Sequence, residues 1–149
     1  SKHTSPGGEG SYFKVNEQAT DRVHNGTYAG KAKAKSGGHG VCGYGGLAKK
    51  FSFRRNPGSI SMWLKGKSDN WGRVSVILKD SSGYHTLWRK KSRGYPPMSF
   101  DWRQKTFDIS AYDDTFTLIV GNDDRSQHCT NSDHSWTIWA DDIEMRCGN

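Results

Sequence analysis

From residue 47 onward, apolar and polar residues alternate in short runs. Ser59–Lys65, Arg73–Lys79, Tyr84–Lys90, Thr115–Val120 and Ser135–Met145 each repeat with a period of two. That period sends successive side chains to opposite faces of a β-strand and does not match the 3.6-residue period of a helix. Between the runs lie Asn56-Pro57-Gly58, Lys67-Ser68-Asp69-Asn70, Asp80-Ser81-Ser82-Gly83 and Gly121-Asn122-Asp123-Asp124. These stretches supply the positive-φ positions and local side-chain caps that tight turns need. Short strands punctuated so regularly predict an all-β fold, an antiparallel sandwich or barrel. No capped amphipathic helix of useful length and no fixed-period repeat competes with this reading.

A chain of 149 residues has room for one hydrophobic core and not for two. Only 32% of it is hydrophobic and 18 residues are glycine, so the core must be assembled from alternating strands rather than long apolar helices. No window reaches the roughly 18 apolar residues of a membrane-spanning helix, and no signal-peptide pattern opens the sequence. Ser1–Ser11, with Ser5-Pro6-Gly7-Gly8, reads as a flexible leader or linker, which leaves 12–149 as the single folded domain. The expected location is extracellular, as a secreted product.

Cys42, Cys129 and Cys147 lack Cys-x-x-Cys spacing, so a thiolate zinc site is not indicated. One disulfide with a spare thiol is the expectation for a secreted domain. Cys42 and Cys129 are the preferred pair, because each sits in a Gly- or Asn-rich loop that can meet the other at one end of a sandwich. Three reduced, buried cysteines are the alternative.

Charge is sorted along the chain. Lys49 to Lys105 holds fourteen Lys and Arg against Asp69, Asp80 and Asp101, whereas Thr106 to Asn149 holds two basic and nine acidic residues. A middle segment with a balance of +11 points to a cationic face for a polyanion: glycan, nucleic acid or membrane surface. Alternation puts Ile60, Met62 and Leu64 on one side of their strand and Val74, Val76 and Leu78 on one side of the next, as core. The opposite sides are then read as one face carrying Trp63, Lys65, Arg73, Lys79, Tyr84, Trp88 and Lys90. Aromatic rings offer flat plates for the C–H faces of a sugar, and the cations beside them pair with carboxylates or sulfates. Trp71 and Trp102 are candidates for the edge of such a site. The loops 37–46 and 122–133, with Tyr44, Arg125 and His128, are the rival location.

The ordered segments Gly26-Thr27-Tyr28-Ala29-Gly30-Lys31, Pro57-Gly58-Ser59-Ile60-Ser61-Met62-Trp63-Leu64-Lys65, Phe107-Asp108-Ile109-Ser110 and Ile138-Trp139-Ala140-Asp141-Asp142-Ile143 resemble those of jelly-roll carbohydrate-binding modules of the galactose-binding-like type. The resemblance spans roughly residues 12 to 147. It implies a jelly-roll β-sandwich that binds polysaccharide without catalysis, either alone or appended to a larger carbohydrate-active enzyme. It also implies a structural Ca²⁺ held by hard oxygen ligands. Carried onto this chain, the ligands would be Glu17, Asp141 and the main-chain oxygens of Thr27 and Lys31. With the cationic middle segment, the expected ligand is an acidic polysaccharide, uronate or sulfated.

Other chemistry fares less well. Gly-x-Ser-x-Gly and phosphate-loop motifs are absent. A glycosidase carboxylate pair is not evident. A small polysaccharide lyase would use Tyr84-His85 beside Arg89, yet alternation sends Tyr84 and His85 to opposite faces. The six histidines lack His-x-x-x-His spacing. A single-stranded nucleic-acid binder shares the basic, ring-bearing sheet, but the acidic last third opposes a wrapped phosphate backbone. No basic amphipathic helix supports a membrane surface role. The sequon Asn25-Gly26-Thr27 sits where a turn is expected.

Overall fold

The computed structural model describes residues 2–4, 12–17, 29–35, 44–53, 56–68, 71–93, 99–123 and 135–148, with side chains described for 46–53, 56–67, 74–90, 99–121 and 137–148. Ten strands follow one another: β1 (Lys2–Thr4), β2 (Tyr12–Glu17), β3 (Ala29–Lys35), β4 (Tyr44–Ser52), β5 (Pro57–Ser68), β6 (Trp71–Asp80), β7 (Gly83–Arg93), β8 (Ser99–Asp108), β9 (Thr115–Asp123) and β10 (Ser135–Cys147). They form two five-stranded antiparallel sheets, ordered β1-β4-β9-β6-β7 and β2-β3-β10-β5-β8. From β4 onward the chain changes sheet at every connection except the β6–β7 hairpin, which is the crossing pattern of a jelly-roll sandwich.

The five segments with a clear period of two lie in β5, β6, β7, β9 and β10. Within the expected leader, Lys2–Thr4 pair with β4 as an edge strand; the remainder of 1–11 lies outside the described residues. Alternation announces neither β1 to β4 nor β8. In β8 the inner residue Phe100 is followed by Asp101-Trp102-Arg103, and a register shift between Leu64 and Gly66 of its partner β5 breaks the period.

The core forms where the two sheets meet. Ile60, Met62 and Leu64 of β5 face Val74, Val76 and Leu78 of β6 across the sandwich, joined by Phe100, Ile109, Phe116, Leu118, Val120, Ile138 and Ala140, all 5% exposed or less. Each buried aliphatic side chain of this size contributes about 1.5–3 kcal/mol. Gly66 is required by this packing: a Cβ there would stand 2.5 Å from the Phe100 ring, so any side chain would displace β8. The β6–β7 turn is the one place where a described glycine has a positive φ, Gly83 at 126°, a conformation that favours residues without a Cβ.

Candidate functional site

The single ring-and-cation face expected from alternation does not exist in the folded molecule. Because β5 and β6 belong to different sheets, residues pointing away from the core on one are on the opposite side of the sandwich from those on the other. Trp63 and Lys65 therefore stand on the outer face of the second sheet, while Arg73 and Lys79 occupy outward register positions of the first. A second correction concerns β7. Ile77 pairs with Thr86 but Val76 pairs with Trp88, leaving Leu87 as an extra residue. Such a bulge reverses the alternation beyond it. Tyr84 and Thr86 face outward, Trp88 and Lys90 fall opposite the core residues Val76 and Val74, and Arg89 takes the outward place opposite Ser75.

Trp88 consequently closes the side of the sandwich where β7 and β8 are the outermost described strands. Its ring meets Phe100 edge-on at 5.7 Å and 79°. Lys105 lies 5.8 Å over Trp88, and Lys90 and Arg103 lie 5.9 and 5.1 Å over Phe100. These cations cap apolar surface with their stems.

The outer face of the first sheet gathers the remaining predicted groups. Register sets Lys79 opposite Tyr84; the ammonium sits 5.1 Å from the ring centroid, and Tyr84 is 54% exposed. One side of the ring is thus held beside a cation while more than half of the residue faces solvent. Two rungs along, Ser75 is fully buried although it points outward. Arg89 lies against it: Nε donates to Ser75 Oγ at 3.3 Å and Nη2 donates to Thr86 Oγ1 at 3.5 Å. Neighbouring outward positions are Ala48 and Ile119, and Lys50 opposite Thr117. Arg73 and Lys91 form the next rung beyond Ser75–Arg89. Among the described residues, no carboxylate lies within ion-pair distance of Arg89, Lys79 or Lys50.

The outer face of the second sheet is different. Trp63 is half-buried between Gln104 on β8 and Asp141 on β10 in the register. Lys65 is 3.8 Å from Asp101, Arg146 is 3.2 Å from Glu144, and Lys67 lies 5.9 Å over Trp139. Thr137 and Trp139 also take outward positions on β10, yet they are only 4% and 3% exposed.

A polar latch lies at the β6–β7 turn. Asp80 Oδ1 accepts from the Ser82 amide and hydroxyl at 2.9 and 2.7 Å and lies 2.9 Å from His85 Nε2. Asp80 Oδ2 accepts the Asp113 amide at 3.4 Å, and Asp113 in turn accepts from the Ser81 amide and hydroxyl. The Ser82 hydroxyl foremost, with His85 and the Asp113 and Ser82 amides, holds the Asp80 carboxyl well below its usual 3.8 against the opposing effect of burial. His85, its ring tilted at 36° to that of Tyr112 with centroids 4.7 Å apart, is committed to this latch on the opposite side of β7 from Tyr84. The Tyr84-His85 pair a lyase would need is therefore not assembled.

Among the described residues, no group of three or more His, Cys, Asp or Glu is arranged to hold a metal. The register still brings the expected calcium ligands toward one end of the second sheet. Glu17 pairs with Ala29, and the neighbouring Gly30 pairs with Ala140, the residue before Asp141. Asp141 is half-buried and its Oδ1 accepts the Asp142 amide at 2.9 Å, with Asp142 at φ 49°. Glu17 and Asp141 are carboxylates, the hard oxygen donor type that Ca²⁺ takes. Lys31 lies opposite Trp139 in the register; Thr27, Cys42 and Cys129 lie outside the described residues. Cys147 is an exposed free thiol. A cavity of about 270 Å³ opens between β4 and β10, lined by Leu47, Phe51, Leu118, Val120, Ala140 and Ile143 with Asp141 and Asp142; its mainly apolar wall gives a sugar few hydroxyl partners.

Arg89 is the site residue that the alternation reading assigned to the wrong side. The signal was present: Leu87 and Trp88 are adjacent apolar residues inside an alternating run, a doublet that marks a place where two neighbours both turn inward.

No family model matches this chain, and no curated protein matches it in sequence. Solved structures do. TmCBM61 in complex with β-1,4-galactotriose matches with a TM-score of 0.57 at 14% identity, covering 99% of this chain and 88% of that one. The K1 cleaved adhesin domain of Lys-gingipain from Porphyromonas gingivalis W83 matches with a TM-score of 0.58 at 18% identity, covering 99% and 91%. The family 11 carbohydrate-binding module of the cellulosomal cellulase Lic26A-Cel5E of Clostridium thermocellum matches with a TM-score of 0.55 at 10% identity, covering 99% and 87%. At these identities the likeness is one of fold, and the fold is the β-sandwich of carbohydrate-binding modules.

Proposed function

We propose that this chain is a non-catalytic glycan-binding module that takes an acidic polysaccharide on the outer face of its first sheet. The observation that carries the reading is the row Tyr84, Lys79, Arg89: an exposed ring and cations with no carboxylate partner among the described residues, presented on one sheet face. A pyranose stacks its C–H face on such a ring, and Lys and Arg attract the charged substituents of the polymer. An extracellular setting and attachment to a larger carbohydrate-active enzyme accord with this role. We include a structural Ca²⁺ at the Glu17 and Asp141 end of the second sheet. A bound ion would tie β10 to β2 and β3, so a chelator is expected to lower the thermal midpoint, because a ligand held only by the native state stabilises it by mass action.

The direct test is binding to polygalacturonate, alginate and heparin, to neutral galactan, xylan and cellulose, and to single-stranded DNA, each at low and high salt. Retention by one acidic glycan at both salts supports the reading. Equal, steeply salt-sensitive retention by every polyanion, DNA included, would favour the nucleic-acid alternative. Selective retention by a neutral glycan would keep a glycan module and remove the acidic preference.

A further inference from the structure

Resting on that reading, we infer that Arg89 is the residue that recognises the sugar carboxylate, which makes uronate polymers rather than sulfate esters the preferred ligand class. The Leu87 bulge delivers this arginine to the outer face, and two hydroxyls fix the guanidinium in place. Ser75 Oγ takes the Nε proton and Thr86 Oγ1 takes one from Nη2. Nε and Nη2 share the side edge of the guanidinium, so both anchors bind that edge. The end of the group, where Nη1 and Nη2 project parallel N–H bonds, matches the two oxygens of a planar carboxylate.

Three observations say that this end is made for an anion. Arg89 is half-buried, so its charge is partly withdrawn from water, and among the described residues no acid neutralises it. Ser75 is completely buried beneath it, a floor that holds the side chain down on the sheet instead of letting it extend into solvent. Tyr84 stands two residues before the anchoring Thr86, on the same face. A sugar ring stacked there would direct a substituent along the sheet toward Arg89. Lys79 and Lys50 add general positive potential, but an ammonium is a point charge that does not distinguish a flat carboxylate from a tetrahedral sulfate.

The experiment measures the affinity of the wild type, Arg89→Gln, Arg89→Lys and Thr86→Val for polygalacturonate, its fully methyl-esterified form, dextran sulfate and neutral β-1,4-galactan. Methyl esterification is expected to weaken wild-type binding by about tenfold or more, the scale of one lost charge-assisted bidentate contact. Arg89→Gln should weaken polygalacturonate binding by a similar factor while changing dextran sulfate binding by less than about threefold, as expected for loss of one of several cations. Arg89→Lys, which restores charge without the fork, should recover only part of the affinity. Thr86→Val, which loosens the anchor and keeps the charge, gives the same ranking at smaller size and serves where an Arg89 variant fails to fold. Equal losses on polygalacturonate and dextran sulfate, or full rescue by lysine, would overturn the assignment by reducing Arg89 to one charge among several. Wild-type binding to galactan alone, indifferent to Arg89, would overturn it while leaving a glycan module. No binding to any of the four would remove both.

Discussion

The two outer faces of this sandwich are made from the same residue types and differ in how their charges are settled. On the second sheet, Lys65 is near Asp101 and Arg146 is near Glu144. On the first, Arg89 rests on hydroxyls and Lys79 on a tyrosine ring. A cation already beside a carboxylate must give up that partner to bind an anionic ligand, whereas one held by hydroxyls keeps its charge to offer. A count of lysines and arginines does not separate these two cases. Their partners do.

Substitutions that test this difference between the faces vary widely in expected effect. The largest falls on neither face. Trp88→Ala should cost about 3 kcal/mol of stability, the low end of values for removing a large packed ring, read as a lowered urea midpoint, because Trp88 and Phe100 close the side between the sheets. An unchanged midpoint would return Trp88 to the surface, on the side of β7 that alternation implied.

Next comes a matched pair. Tyr84→Ala should weaken polygalacturonate binding about tenfold, or roughly 1.4 kcal/mol, with little change in midpoint, since the residue is mostly exposed. Lys65→Ala, on the neutralised face, should change it less than about twofold. A reversed order would move the site to the second sheet.

The smallest effect concerns acid. Because the folded-state pKa of Asp80 is depressed, its contribution is complete above the usual 3.8 and is lost as pH falls from there toward the depressed value. Asp80→Asn should therefore lower the midpoint at neutral pH, and the gap between variant and wild type should narrow as the solution is acidified below about pH 4. A gap independent of pH would mean that the latch works through shape rather than charge.

The limits of the sequence reading have physical causes. Periodicity is a property of one strand, so β5, β6, β9 and β10 and their inward residues Ile60, Met62, Leu64, Val74, Val76 and Leu78 could be recognised. Sheet membership is a property of the whole chain. Nothing in β5 or β6 alone says that their core sides confront each other across the sandwich instead of lying side by side, and this is why Trp63 and Lys65 were grouped with Arg73 and Lys79. The bulge is intermediate: the Leu87-Trp88 doublet hinted at it, but only the pairing of Val76 with Trp88 shows which residues changed sides. Lys79 and Tyr84 survived as a pair because the hairpin turn fixes their register within a few residues of the bend. β8 escapes the alternation reading because its pattern is interrupted where Asp101 and Trp102 stand opposite the single Lys65 of β5.

The extra residue in β7 also bears on solubility. β7 is one of the two outermost described strands of the first sheet, eleven residues long, and a straight strand of that length would be a template on which another copy could add and begin a fibril. The irregularity at Leu87 interrupts that template near its middle, and Arg89, Lys90, Lys91 and Arg93 make two such edges repel each other. A polyanion that quenched this repulsion would leave the kink as the remaining guard against edge-to-edge aggregation.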